Sequence, residues 1–272
     1  MTYIVAVSGG IDSVALLDMM VQAGREPLVV AHFDHGIRDD SAEDAKFVAS
    51  LADRYGLPFE TRREELGPNA SEAIARERRY AFLRELASKY EGKIVTAHHA
   101  DDLVETVAIN LHRGTGWRGL AVLDSDVLRP LLDVHKDELR RYVNRRRLDW
   151  REDSTNKNDK YLRNKLRPLT RTIHPESKQR VKDLRRRQLE LKKEIEAEVR
   201  RLLGDGPDYS RYLLTHMPPR LAVECLRVIS NGTLTRPQLE RLLLAVKTSV
   251  PGGLYHAGSG VTARFSTRYF TL

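Results

Sequence analysis

The sequence predicts an α/β protein, with a parallel sheet covered by helices on both faces, then a long helix and a small α+β unit. Three observations carry this. Apolar runs rich in β-branched residues alternate with stretches of helical spacing up to His112. A Ser-Gly-Gly turn joins the first such run directly to an apolar helix. A breaker cluster, Gly204-Asp205-Gly206-Pro207, separates a long charged helix from the final 65 residues.

The buried strands are expected at 3–7, 27–32, 57–61 and 93–97, with a weaker one at 126–129. Helices fall between them at 13–23, 41–55, 71–90 and 101–112. This alternation implies a parallel sheet whose ligands gather at the carboxyl ends of its strands, so the loops after Val7, His32 and Ala97 are the ones to watch. Residues 135–147 read as a basic amphipathic helix, and 150–159 as a polar loop without apolar period. The long charged helix covers about 176–203. Beyond the breaker come two short helices, 219–230 and 236–247, and a glycine-punctuated hairpin within 253–272. The expected division is a catalytic domain over 1–170, a basic helical linker over 171–207 and a small C-terminal domain over 208–272. Internal repeats and low-complexity tracts are absent from the sequence.

Composition narrows the class. The 41% hydrophobic content is that of a globular chain, and no window approaches the ~18 apolar residues of a membrane span. The N-terminus lacks the basic region and cleavage site of a signal peptide. Cys225 is the single cysteine, which leaves no internal disulfide or Cys-x-x-Cys centre within the chain. The expected compartment is the cytoplasm. The net charge of +8 is concentrated: residues 136–171 hold 13 Lys/Arg against 6 Asp/Glu, and residues 176–203 hold 10 against 6. The remainder is slightly acidic, so the basic middle suits either a nucleic-acid partner or solvated helix faces.

The turn Ser8-Gly9-Gly10-Ile11-Asp12-Ser13 has the chemistry of a phosphate cradle. Glycines allow close backbone approach, and the unpaired N–H groups of a helix N-terminus attract anions. It lacks the Gly-Lys-Ser/Thr ending of a Walker loop and carries a carboxylate instead. Asp12 is then either a plain capping residue or a ligand for a bridging cation, for which Mg²⁺ is suited as a hard ion shared between carboxylates and phosphates. Asp102 and Glu105, three apart, share one face of a helix and could grip an ammonium or simply offset the helix dipole.

This loop resembles that of the N-type ATP pyrophosphatases, which cleave ATP between the α and β phosphates. Four further strings follow it in order: His32-Phe33-Asp34-His35-Gly36; Thr96-Ala97-His98-His99-Ala100-Asp101-Asp102; Arg113-Gly114-Thr115-Gly116-Trp117; and Trp150 to Asn156, with Arg163 and Arg167 beyond. Together they resemble the tRNA(Ile)-lysidine synthetase family over about residues 1–170. The resemblance implies an adenine-nucleotide-hydrolase-like (PP-loop) fold and a two-step ligation. ATP adenylates the wobble cytidine of a CAU-anticodon tRNA(Ile), free lysine displaces AMP, and lysidine results.

It also implies roles. Ser8, Gly9, Gly10, Ile11 and Ser13 would bind ATP, as would His98 and Gly114, while Asp12 would hold Mg²⁺. His32 and Phe33 are base contacts or core residues. Asp102 and Glu105 would bind lysine and, with Asp12 and Arg113, make the catalytic set. Arg76, Arg79, Arg163 and Arg167 would contact tRNA or phosphate, and Arg185, Arg186 and Arg187 would follow the tRNA backbone from a solvated helix. His32, His35, His98 and His99 could form a zinc site on chemistry alone, but the family motifs account for all four. The match thins after residue 170; the small domain over 208–272 is expected to bind tRNA, while discrimination against the methionine tRNA is left undefined. The oligomeric state is open, a dimer included. A tRNA thiolation enzyme of the same superfamily and a non-catalytic nucleotide- or tRNA-binding module stand as alternatives. Cys225 bears on the first: with Leu221, Val228 and Ile229 it marks the apolar face of a helix, where a thiol is a packing group.

Overall fold

The apolar runs assemble as four parallel strands, β1 (Tyr3–Ala6), β2 (Leu28–Asp34), β3 (Phe59–Arg63) and β4 (Lys93–Val95). The structure is a computed structural model that describes residues 1–36, 41–67, 70–151, 166, 168, 170 and 172–272. All seven residues of β2 are buried, as a strand covered on both faces requires. The weaker run near 126–129 makes only an isolated parallel bridge, Val95 to Leu128, although Leu128 N–H donates to Ile94 O at 2.8 Å and Leu128 O accepts from Thr96 N–H at 3.0 Å. Pro130, without an N–H, follows at once and cannot extend a ladder.

Side chains alternate across the sheet. Val5 and Val30 face a core shared with α1 (Ile11–Gln22), α2 (Ser41–Arg54) and α5 (Lys136–Arg146), through Val14, Leu17, Val48, Leu51, Leu139 and Val143. Ile4, Val29 and Ala31 point the other way, onto Tyr80, Leu83 and Leu86 of α3 (Glu72–Lys89). Helix α4 (Ala100–His112) packs Leu103 and Val107 against Val122 in a smaller cluster.

The strand order is β3-β2-β1-β4. The chain winds outward from β1 through β2 to β3, then returns to the opposite side of β1 for β4. The β1/β4 boundary is therefore the topological switch point, where adjacent loops diverge and leave a crevice above the strand ends.

Helices α1 and α5 run in register, fastened by one buried carboxylate. Asp18, 1% exposed, accepts hydrogen bonds from Tyr55 OH (2.7 Å), Tyr142 OH (2.6 Å) and Arg146 Nε (3.1 Å). Burial alone would raise its pKa, but the Tyr142, Arg146 and Tyr55 bonds outweigh that and hold it below the ordinary carboxylate value. Its partners shift in the complementary direction, with the Tyr142 phenol pushed up to about 12 by burial and by Asp18.

The long helix α6 (Pro175–Leu203) differs from a free linker. Lys178, Lys182 and Arg185 lie at i, i+4 and i+7 on one face. They bond to Asp101 Oδ1 (2.6 Å), Asp133 O (3.3 Å) and Val122 O (2.8 Å), respectively. Accordingly the chain divides into two units after Gln188, inside this helix. The second unit, Leu189–Leu272, has its own core, in which Leu214, Leu226, Leu239, Phe265 and Phe270 are fully buried. It contains α7 (Arg211–His216), α8 (Pro219–Ile229), α9 (Arg236–Thr248) and an antiparallel sheet. The sheet order is β5-β8-β7-β6, from β5 (Tyr209–Ser210), β6 (Leu254–Gly258), β7 (Val261–Phe265) and β8 (Tyr269–Thr271).

Candidate active site

The loop after β1 is held open by its own side chains. Ser8 N–H donates to Ser13 Oγ at 3.2 Å, Ser13 Oγ–H donates to Gly10 O at 2.9 Å, and Gly10 N–H donates to Ser8 Oγ at 3.3 Å. Gly9 sits at φ +88°, a conformation that side chains rarely adopt. No side chain caps α1, so its first turn keeps N–H groups directed at the crevice. Gly9 O accepts from Arg151 N–H at 3.0 Å, and the Arg151 guanidinium is paired with Asp44, which pins the start of the 150–159 segment to this loop.

Asp12 opens α1 and meets a lysine supplied by another element. Lys136 Nζ bonds to both carboxylate oxygens, at 2.7 Å to Oδ1. Lys136 is the first residue of α5, and the Asp18 bonds set the register that brings it there. Sequence reading missed it: within a strongly basic helix nothing marks one lysine, and its partner is 124 residues away.

Across the switch point, the loop after β4 delivers His98, His99, Asp101 and Asp102. His99 caps α4, its Nδ1 accepting Asp101 N–H at 3.2 Å while Asp102 Oδ2 accepts His99 N–H at 3.1 Å. The ring proton therefore sits on Nε2, which lies 3.7 Å from Asp12 Oδ2 and 3.5 Å from Asp102 Oδ2. The acid of the loop after β1 and the acid of α4 thus meet at one nitrogen of a buried imidazole. Asp101 takes the Lys178 ammonium at 2.6 Å and Lys136 N–H at 2.9 Å. Burial would raise its pKa, but these two bonds keep it low. His98 accepts or donates through Nδ1 to Thr96 Oγ1 at 2.8 Å. Burial pushes its pKa down to about 3, with Asp102 opposing and Arg129, Arg76 and Arg79 reinforcing the shift, so it is a neutral imidazole.

Arg76 and Arg79 stack over the Tyr80 ring at 4.8 and 5.5 Å and act electrostatically on His98, which sets them beside this cluster. Glu105, 4% exposed, lies one turn below Asp102 on the inward face of α4. His32 is 4% exposed and its Nδ1 bonds to Val7 O at 2.8 Å, a cross-strand tie that occupies it structurally. Phe33 is 9% exposed and packs on Phe82 and on His35. Both observations favour the core reading of this pair over base contact. Arg113 and Gly114 are exposed at the far end of α4, whose 13 residues span about 20 Å, so Arg113 does not join the Asp12 cluster. Arg185 is not a surface rail residue. Its guanidinium is partly buried against the Val122 and Leu123 carbonyls, whereas Arg186 and Arg187 are exposed. Arg163 and Arg167 lie outside the described residues.

A family profile described as a PP-loop domain matches residues 1–175. The tRNA(Ile)-lysidine synthase of Thermus thermophilus is 37% identical over 278 residues, covering 96% of this chain and 54% of that protein. That of Enterococcus faecalis is 34% identical over 251 residues, covering 79% and 54%. The chain therefore spans about half the length of the curated relatives it matches. Among solved structures, the U34-tRNA thiolase NcsA from Methanococcus maripaludis with its [4Fe-4S] cluster aligns with a TM-score of 0.60 at 18% identity, over 70% of this chain and 73% of that one, which establishes a shared fold. The chain belongs to the PP-loop domain family, and the relatives it resembles within that family are tRNA(Ile)-lysidine synthases.

Proposed function

We propose that this chain catalyses lysidine formation: ATP adenylates the O2 carbonyl oxygen of the wobble cytidine in a CAU-anticodon tRNA(Ile), and the side-chain amine of free lysine then attacks C2 as AMP departs. The observation that supports this best is the convergence at the β1/β4 switch point, where Asp12 of the loop 8–13 and the half-buried Asp102 of α4, one turn from the buried Glu105, meet at His99. A ring carbonyl oxygen is a poor leaving group until it becomes a phosphate ester, so an enzyme for this exchange needs an anion cradle beside acids that bind the lysine ammonium and accept its proton before the neutral amine attacks. The loop 8–13 suits the first need, and Asp102 with Glu105 suits the second.

The donor chemistry at Asp12 fits Mg²⁺. A carboxylate offers about four lone-pair directions, and Lys136 takes one on each oxygen. Asp12 would hold the ion, with Asp102, which meets the same His99 Nε2, as a second carboxylate close by. When bound, Mg²⁺ neutralises phosphate charge during transfer. Lys136 supplies a second cation at the same loop, free to turn from Asp12 to a phosphate oxygen as the nucleotide enters. The Arg76 and Arg79 pair extends the positive field toward tRNA or triphosphate.

A sulfur-transfer reading draws no support from the thiol. Cys225 is 4% exposed in the core of the second unit, and burial raises its pKa, opposite to what a reactive thiolate needs.

The test is the fate of ATP. Incubated with tRNA(Ile), lysine and Mg²⁺, the protein should release AMP and pyrophosphate, and Asp12→Ala should abolish that release while leaving thermal unfolding cooperative. ADP and phosphate as the main products would sink the proposal.

A further inference from the structure

The second unit carries a surface pocket of about 610 Å³ that the adenylation chemistry does not use. None of its ten lining residues is acidic, and three, Arg211, Lys247 and Arg268, are basic. Arg211 is its fixed floor, donating to Val246 O (2.9 Å), Ser249 O (2.7 Å) and Ser266 O (2.7 Å), which closes the carboxyl end of α9 and commits the guanidinium to the fold. Lys247 and Arg268 are different: both are exposed, and among the described residues neither is paired with a carboxylate. Two cations lining one pocket without a carboxylate partner give it a positive potential that an anion would neutralise.

The turn that presents Arg268 is rigid. Ser266 N–H donates to Tyr269 O at 2.8 Å, Tyr269 N–H donates to Ser266 Oγ at 3.0 Å, and Arg211 N–H donates to Arg268 O at 2.9 Å. In the same lining, Tyr212 is 71% exposed, and its ring stacks on His216 at 3.9 Å and 27°. The His216 ring is itself tied to Tyr212 O at 2.8 Å. A large aromatic ring in solvent, with one face covered and the other open, is a stacking platform for a planar partner.

We propose that this pocket binds an unpaired nucleotide of RNA, with its phosphate between Lys247 and Arg268 and its base stacked on the open face of Tyr212. The pairing of cations and aromatic ring within one concavity is the arrangement that single-stranded nucleic acid requires, and it is tolerant of base identity because every base has a π-face. The assignment rests on the proposed tRNA substrate and gives the second unit a defined share in holding it.

The experiment measures equilibrium binding of a CAU-anticodon tRNA(Ile) transcript to the full chain across a salt series, for wild type, Tyr212→Ala, Tyr212→Phe and Lys247→Ala/Arg268→Ala. The double variant should flatten the slope of log K against log[salt] by roughly 1.4–1.8, two phosphate contacts at roughly 0.7–0.9 each. Tyr212→Ala should weaken binding by about 5- to 150-fold, and Tyr212→Phe, which keeps the π-face, should bind like wild type. All the substituted side chains are solvent-exposed, and retention by the phenylalanine variant separates stacking from any loss of fold. Unchanged slope in the double variant together with unchanged affinity in Tyr212→Ala would overturn the site. Lysidine formation by the wild-type protein is scored in parallel. If it occurs while the variants bind normally, the pocket assignment alone fails. If the variants lose binding but no lysidine forms, the pocket stands and the proposed chemistry fails.

Discussion

Asp12 and Asp102 both approach His99 Nε2, and under the proposed ligation they serve different steps. If Asp102 and Glu105 hold the lysine ammonium, Asp102→Asn or Glu105→Gln should still give adenylated tRNA but consume it only at higher lysine. One charge-assisted hydrogen bond is worth ~1.5–3 kcal/mol, or about 10- to 150-fold in apparent lysine affinity. Quenched-flow trapping of the adenylate at varied lysine checks this. Normal lysine affinity with failed adenylation would instead place the acids on the ATP side. At this scale the sequence was informative wherever a role is local. Ser8, Gly9 and Asp12 fall within one turn, and their spacing alone raises the expectation of an anion cradle. Lys136 and Lys178 were illegible because their partners, Asp12 and Asp101, come from distant elements, and a lysine among many carries no mark. His32 shows the converse: the same motif that places it near the loop also ties it into the sheet.

Among the elements, α1 and α5 are coupled by Asp18, and that coupling has a stability signature. The folded-state pKa of Asp18 is depressed, so its contribution is present above the unfolded carboxylate value of about 3.9 and lost as pH falls through the lower folded value. Asp18→Asn should cost about 2–4 kcal/mol at pH 7, below the ~3–5 of a fully buried pair because Arg146 reaches solvent. It should also flatten the acid limb of the stability curve below about pH 4. Urea unfolding at pH 7 and at pH 3 measures both, and an acid limb as steep as that of wild type would remove Asp18 from the explanation. Helix α6 gives a second contrast. Arg185→Ala should destabilise by ~1–3 kcal/mol through the stranded Val122 carbonyl, since Leu123 O keeps its bond from Arg129. Arg186→Ala with Arg187→Ala should leave stability unchanged and flatten the salt dependence of tRNA binding by roughly 0.7–0.9 for each phosphate no longer neutralised. Equal behaviour of the three arginines in both assays would contradict this division. The 3.6-residue period revealed α6 but could not tell its docking face from its solvated one, since lysines and arginines occupy both. The 126–129 run was read as a strand from its apolar residues, and Pro130 limits it to a bridge.

In the whole molecule, alternation of strands and helices was enough to give the fold class, because parallel sheets need apolar residues on both faces and helices to cover them. Strand order was not legible: nothing in the spacing says that β4 returns to the far side of β1, yet that return creates the crevice where the motifs converge. The breaker at 204–207 marked the end of α6, whereas the second unit begins at Leu189 inside that helix, and its short β5 and α7 were too brief to generate a period. The central claim, that this crevice joins lysine to a cytidine, is tested most directly by the intact mass of a CAU-anticodon tRNA(Ile) transcript after incubation with the protein, ATP, Mg²⁺ and lysine. The account predicts that the transcript gains one lysine less one water, at the wobble cytidine, and that the gain disappears without ATP. An unchanged mass under conditions where the tRNA is bound, or a mass gain of sulfur in place of lysine, would contradict it.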